Sequence, residues 1–195
     1  MLVVRAVEDH RPGDGGEFRR RRMVRLKDYA VSESTSSLPA ARVELARQLV
    51  AAVASMHRHN TAHLDLGGHS IWLEAPTSVK LSHLFAARFP DIKSLGDARY
   101  QFLASVTVPE DILGEDKGPK RRDIFLLGVA VHELLFGRIP AGDPAEWVAS
   151  IDTIGEFEML HSWIAEALEV DPGNRFADAV VALACFNKAT ATRPS

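Results

Sequence analysis

The fold is decided by two runs that lie close together in the chain, Thr61-Ala-His-Leu-Asp-Leu-Gly-Gly-His-Ser-Ile-Trp-Leu73 and Val79-Lys-Leu-Ser-His-Leu-Phe85. Each run contains a short, largely apolar segment that suits a strand, at 71–73 and at 79–81, and Pro76 between them predicts a turn. Before them, residues 40–59 carry apolar side chains at three- and four-residue spacing, which predicts an amphipathic helix. The predicted order is therefore helix, loop with a His-x-Asp motif, strand, turn and strand.

Composition restricts the class of protein. A chain of 195 residues with 46% apolar content can bury one sizeable core, so a single domain is expected. The formal net charge of -3 argues against a general nucleic-acid or membrane binder. No apolar run approaches 18 residues and no signal-peptide pattern is present, so we expect a soluble protein of the cytoplasm. The one cysteine, Cys185, lies in an apolar helical pattern that predicts a buried thiol.

Two long helices are predicted most clearly. Ser37 followed by Leu38-Pro39 is a favourable start for the first, with serine as the N-cap. The second follows Asp123 and is apolar nearly all round, as expected of a buried central helix; Gly137 is placed to end it and Pro140 to prevent its continuation. The apolar face of the first helix comprises Val43, Leu45, Ala46, Leu49, Val50, Val53 and Met56.

Five landmarks in order resemble the C-lobe of eukaryotic-type protein kinases. In that family the loop runs His-Arg-Asp-Leu-Lys-Pro-Glu-Asn, and the second strand ends in Asp-Phe-Gly. These positions hold His63 to Ser70 and His83-Leu84-Phe85 in this chain. Val108-Pro109-Glu110 stands where the family has Ala-Pro-Glu. Asp123 to Pro140 matches the family motif Asp-x-Trp-Ser-x-Gly and the helix that follows it, and Asp171 to Phe176 matches Asp-Pro-x-x-Arg-Pro.

The resemblance covers roughly residues 24–188 and implies a mainly α fold of the α+β class, a kinase-like C-lobe of helices. A small β-hairpin, with strands near 2–7 and 17–26, is expected in place of an N-lobe. The expected organisation is a vestigial N-lobe hairpin and linker at 1–36, the C-lobe at 37–190 and a tail at 191–195.

The resemblance implies structural roles for five residues. Asp123 is expected to start its helix near the loop and to accept hydrogen bonds from the loop backbone, which a buried carboxylate requires. Glu110 and Arg175 correspond to the buried ion pair of the family, whose breaking would leave a charge unpaired. His63 and Leu84 occupy positions that pack into the core in kinases.

The positions that carry the phosphoryl-transfer chemistry of the family are matched less well. Asp65 occupies the position of the catalytic base, but Ser70 and His83 replace the asparagine and aspartate that bind Mg²⁺, a cation that prefers carboxylate oxygen. Gly67 replaces the loop lysine, and no Gly-rich phosphate loop or phosphate-binding lysine strand precedes the first long helix. The resemblance therefore implies a pseudokinase that needs no cofactor and acts in protein binding or regulation.

Two alternatives remain open at this point. One is a residually active or split Ser/Thr protein kinase that uses Asp65 with ATP and Mg²⁺, its N-lobe supplied by another chain. The other is a metal-binding protein, because His57, His59 and His69 lie close to the His-x-Asp motif and imidazole is a ligand for zinc.

A binding surface is also predicted. Without a complete N-lobe, apolar side chains of the strands would be left partly open, and exposed apolar patches usually mark contacts. The expected anchors for a partner protein or a second copy are Ile71, Trp72, Leu73 and Leu84.

Overall fold

The computed structural model describes residues 23–32, 39–74, 78–84, 108–110, 118–140, 143, 146–147 and 155–191. The predicted strand at 2–7, most of the predicted return strand, the Ser37 cap and the Pro76 turn lie outside these residues. The elements in chain order are β1 (Met23–Arg25), α1 (Leu26–Ser32), α2 (Pro39–Arg58), β2 (Ile71–Glu74), β3 (Ser78–Leu81), α3 (Pro119–Phe136), a 3₁₀ turn (Glu158–Leu160), α4 (His161–Ala167), a 3₁₀ turn (Pro172–Asn174) and α5 (Ala179–Ala191).

Helix α2 forms where the apolar spacing predicts it. Pro39 stands at its first position, where a missing N–H costs nothing, and no other proline or glycine interrupts its 20 residues. Its buried stripe, which includes Leu45, Leu49 and Val53, packs against α3 and α5. This packing fixes the end of α2, and the His-x-Asp loop follows that end directly.

Helix α3 is the centre of the core, as its apolar sequence predicts. It begins at Pro119, so Asp123 lies inside the helix rather than at its start. Gly137 ends it in the left-handed conformation, with φ of 75° and its N–H bonded to Glu133 O. Gly128 lets α4 approach closely, since a Cβ there would lie 2.9 Å from the Cβ of Ala167. Although α3 is strongly apolar, none of the helices in the described part of the chain has the length and apolar character needed to cross a membrane.

The sheet has the antiparallel order β1-β2-β3, with Val24 opposite Leu73 and Leu73 opposite Val79. Side chains alternate between its faces, as strand geometry requires. Ile71 and Leu73 point into the core and are 0% and 1% exposed, so the prediction that they are exposed anchors is wrong. The outer face carries mostly polar side chains around the half-buried Trp72.

Two further features differ from what the sequence predicts. Residues 26–32 form helix α1, where no helix is predicted; it buries Leu26 and Tyr29. Cys185 is exposed, because the inward-facing position of α5 is taken by its neighbour Phe186.

Candidate functional site

The His-x-Asp loop is held against α3 by one buried carboxylate. Asp123 is fully buried and accepts backbone hydrogen bonds from His63 N at 2.6 Å and Leu64 N at 2.7 Å. Leu64 has a φ of 65°, a left-handed conformation that is strained for a non-glycine residue and must be held by its surroundings. The Asp123 contacts provide that restraint, as the resemblance implies.

His57 connects the same carboxylate to the last helix. Its Nε2 lies 3.0 Å from Asp123 Oδ2, and its Nδ1 lies 2.9 Å from the backbone N of Ala179. Because the backbone N–H must donate, Nδ1 is the acceptor and Nε2–H donates to the carboxylate. Sequence reasoning missed this role, although His57 follows Val53 by four residues and thus continues the buried stripe of α2.

Glu110 and Arg175 form a buried, bidentate ion pair. Arg175 Nη1 and Nη2 each donate to a different Glu110 carboxylate oxygen at 2.8 Å. The guanidinium also donates to the carbonyl of Glu169 and lies 4.7 Å from the ring centroid of Phe125. Paired geometry of this kind compensates both charges for the loss of water.

His63 is a buried neutral histidine at the start of the motif. Its Nε2 donates to Ser82 O at 2.9 Å, and its Nδ1 accepts from Asp65 N at 3.3 Å. Burial lowers the pKa of His63 below its ordinary value, because the charged ring would lose its hydration. His63 therefore links the loop to the end of β3 without carrying charge.

Asp65 lies in the same loop, and its two carboxylate oxygens differ. Oδ2 accepts a hydrogen bond from His69 Nε2 at 3.0 Å. Oδ1 is buried and has no hydrogen-bond partner among the described residues. The carboxylate is thus only half compensated.

Ser70 closes the loop with its own hydroxyl. The side chain is fully buried; its Oγ lies 2.8 Å from Asp65 O, to which it donates, and accepts from Gly67 N at 3.0 Å. A hydroxyl has one proton to donate, and here that proton faces the loop backbone. Ser70 therefore serves the loop itself.

His83 follows β3 with a φ of 60°. Its Nδ1 lies 2.7 Å from Ser82 Oγ, which also accepts from Trp72 Nε1 at 2.9 Å. The rings of His83 and His69 meet edge-on, with centroids 5.5 Å apart. Leu84 is half-buried beside this cluster, and the next residue of the matched triplet, Phe85, lies outside the described residues.

The chain is similar to known protein kinases. It is 26% identical over 168 residues to serine/threonine-protein kinase PrkC of Bacillus subtilis, and 26% identical over 166 residues to maternal embryonic leucine zipper kinase of Xenopus tropicalis. Two solved Toxoplasma gondii structures, a specific rhoptry antigen kinase domain and a rhoptry kinase, superpose with TM-scores of 0.65 and 0.64 at 16% and 18% identity, each over 86% of this chain. The chain has a protein-kinase-like fold.

The kinase-like fold confirms the predicted class of a helical C-lobe with a small sheet. The matched regions cover 79% and 78% of this chain but only 26% and 24% of the two curated kinases, and 52% and 53% of the two solved kinase chains. The chain thus spans about a quarter of the length of the curated relatives it matches. No family model matches the sequence.

Within the kinase-like fold, the structure brings Asp65, Ser70 and His83 to one end of the sheet, through the contacts of Ser70 with Asp65 and of Ser82 with Ser70. The histidines of the metal alternative are not brought together. His57 has both ring nitrogens engaged in the core, while His59 is exposed, with its Nδ1 2.8 Å from Ser55 O. No group of three candidate ligands for a metal ion occurs in the part of the chain that the structure describes.

Proposed function

We propose that this kinase-like domain is a pseudokinase: it transfers no phosphoryl group and acts by binding or regulating another protein. One observation carries the proposal. At the two positions where the resemblance expects ligands for Mg²⁺, the chain has a serine whose hydroxyl is bonded within its own loop and a histidine in place of a carboxylate.

Phosphoryl transfer depends on Mg²⁺ to neutralise the charge that develops on the phosphates. Ser70 offers one oxygen, and that oxygen is already the donor to Asp65 O and the acceptor for Gly67 N–H. A buried hydroxyl that left these partners for a metal ion would leave backbone groups unsatisfied, at about 1–3 kcal/mol each. This cost supports the loss of the first ligand position.

His83 supports the loss of the second position. Mg²⁺ is a hard cation that prefers oxygen ligands, and an imidazole supplies neither oxygen nor negative charge. The His83 ring is moreover directed by its Nδ1 contact with Ser82 Oγ. Asp65 is then the one carboxylate kept among the three chemical positions, and a base alone cannot assemble the phosphates.

The partner surface that we propose is smaller than the sequence predicted, because two of its four anchors are buried in the core. Trp72 and Leu84 remain, both half-buried. Trp72 has an indole N–H fixed by Ser82 Oγ and a ring face covered by Arg25 at 5.0 Å. Trp72, on the outer face of the sheet, and Leu84, which follows β3, are the side chains at which to test for a protein contact.

The test of the proposal is nucleotide binding. We expect ATP to leave the thermal unfolding midpoint of the wild-type chain unchanged, both with Mg²⁺ and with EDTA, because a ligand raises the midpoint only if it binds the folded state. The matched variant is His83→Asp, which returns a carboxylate to a half-buried position, and an active kinase serves as the positive control. A Mg²⁺-dependent rise for the wild type would instead support the residually active alternative, and Asp65→Asn would then be expected to abolish phosphoryl transfer.

A further inference from the structure

The carboxylate of Asp65 is the one chemical group of the kinase-like site that the chain retains, and access to both of its oxygens is restricted. Its side chain is 10% exposed. Oδ2 is bonded to His69, and Oδ1 is buried without a partner among the described residues. Oδ1 is thus withdrawn from solvent, and a molecule that approaches Oδ2 must compete with His69.

This arrangement does not favour stability. A carboxylate oxygen buried without a donor carries an uncompensated desolvation penalty, and buried polar groups are usually satisfied. The contrast with Asp123, whose two oxygens receive three hydrogen bonds, is direct. The buried Oδ1 of Asp65 therefore lowers the stability of the fold, whereas the other polar side chains of the loop have hydrogen-bond partners.

His69 is held in place by more than its contact with Asp65. Its ring packs edge-on against the ring of His83, and His83 is positioned by Ser82 Oγ. Ser82 Oγ in turn lies 3.1 Å from Ser70 O, to which it donates. His69 is thus supported by the end of β3, so its position over Asp65 does not depend on a single hydrogen bond.

The position of the ring proton of His69 follows from the same geometry. A carboxylate can only accept, so His69 Nε2 carries a proton and donates it to Oδ2. A substrate hydroxyl or a cationic side chain would have to compete with that N–H for the same oxygen. Hydrogen bonds to a charged acceptor are stronger than those between neutral groups, so the competition is substantial.

We propose that His69 is an autoinhibitory cap on Asp65, which keeps the retained carboxylate from acting as a base or as a docking group. The inference deepens the proposed function and rests on it for the meaning of the Asp65 position. It adds a second block, made by the loop itself, which is independent of the lost metal ligands.

The test is chemical access to the carboxylate. A water-soluble carbodiimide activates a carboxylate as an O-acylisourea, glycine ethyl ester then displaces the urea to form an amide, and peptide mass spectrometry locates the product. In the wild type we expect Asp65 to react far more slowly than the exposed Glu158. His69→Ala is expected to raise the Asp65 rate about tenfold or more, the equivalent of one charge-assisted hydrogen bond.

Two variants control the result. His69→Gln keeps an N–H donor of similar reach and is expected to restore protection, while His161→Ala removes an exposed histidine on α4 and should change nothing. Each variant is compared by circular dichroism. Rapid labelling of Asp65 in the wild type, or continued protection in a folded His69→Ala variant, would overturn the cap.

A second measurement needs no substitution at His69. Long-range ¹⁵N–¹H spectra of the wild type should show His69 protonated at Nε2, with a change in its shift in Asp65→Asn. Protonation at Nδ1 alone would overturn the proposal even if His69→Ala did not fold. No nucleotide is present in either experiment, so a failure of the cap is distinguishable from a failure of the pseudokinase proposal.

Discussion

Asp123 and Asp65 are two buried aspartates that contact the same loop, and the fold treats them in opposite ways. Asp123 is 0% exposed and its carboxylate accepts three hydrogen bonds, two from the loop backbone and one from His57. Asp65 has one donor, His69, and one buried oxygen without a partner among the described residues. The first carboxylate is integrated in the scaffold, and the second is not.

The difference extends to the other landmarks. Glu110 and Arg175 are joined by two 2.8 Å hydrogen bonds, as a scaffold pair should be, while the chain has Ser70 and His83 at the positions where the resemblance expects an asparagine and an aspartate. A scaffold residue is required by the other residues of the chain whether or not a ligand binds. A residue that holds a metal ion is required only when the ion is used, so it can be lost without unfolding the protein.

The largest expected effect comes from breaking the scaffold side of this comparison. Asp123→Asn replaces one acceptor oxygen with an NH₂ group that can only donate. This NH₂ group would then lie against the backbone N–H of His63 or of Leu64, which is also a donor. We expect a loss of about 3 kcal/mol in the free energy of unfolding, because buried donors are left unsatisfied and the strained Leu64 loses its restraint. Urea unfolding monitored by tryptophan fluorescence measures it.

The control for this variant is Asp171→Asn, at an exposed aspartate that caps a 3₁₀ turn through Gly173 N. Its loss should be about 1 kcal/mol or less. Equal losses in the two variants would mean that the three contacts of Asp123 do not carry the stability assigned to them.

The scaffold could be predicted from the sequence because its signals are local and repeated. Apolar spacing located α2 and α3, and the glycine at 137 located the end of α3. The roles of Asp123, Glu110 and Arg175 came from resemblance, since partners 60 or 65 positions apart leave no local pattern. Apolar periodicity predicts a helix or a strand, but it does not predict which distant residue a side chain contacts.

The misplaced predictions share one physical cause. From the sequence, Ile71 and Leu73 are expected to be exposed because a reduced N-lobe is expected, but both side chains lie in the core that α1 and α2 form with the sheet. The metal alternative groups His57 with His59 by nearness in sequence, but His57 is buried in the last turn of α2 and His59 is exposed just beyond its end. In both cases burial was decided by neighbours that are distant in the chain.

A medium effect is expected from pH, through His63. Burial lowers its pKa in the folded state, so below the ordinary value of 6.5 the unfolded chain binds a proton that the folded chain does not. Stability is therefore complete above that value and falls as the pH drops, by at most about 1.4 kcal/mol per pH unit for one group.

The measurement compares the free energy of unfolding of the wild type and His63→Gln at several values between pH 8 and pH 5. Glutamine keeps a donor for Ser82 O but does not titrate, and all other groups are common to both proteins. The wild type should lose about 1 kcal/mol more than the variant over this range. Equal losses in the free energy of unfolding for the two proteins would show that His63 does not cause this part of the instability at low pH.

The smallest effect is expected from Asp65→Asn, the counterpart of the Asp123 variant in the same loop. The amide oxygen can still accept from His69 Nε2, and the substitution removes a buried charge that is only half compensated. We expect the free energy of unfolding at neutral pH to change by less than about 1 kcal/mol, and to rise rather than fall, because desolvating a neutral amide costs less than desolvating a carboxylate. Urea unfolding of the two asparagine variants side by side measures it. A loss as large as that of Asp123→Asn would mean that Asp65 is a scaffold residue as well, and would remove the physical ground for treating the two aspartates as different in kind.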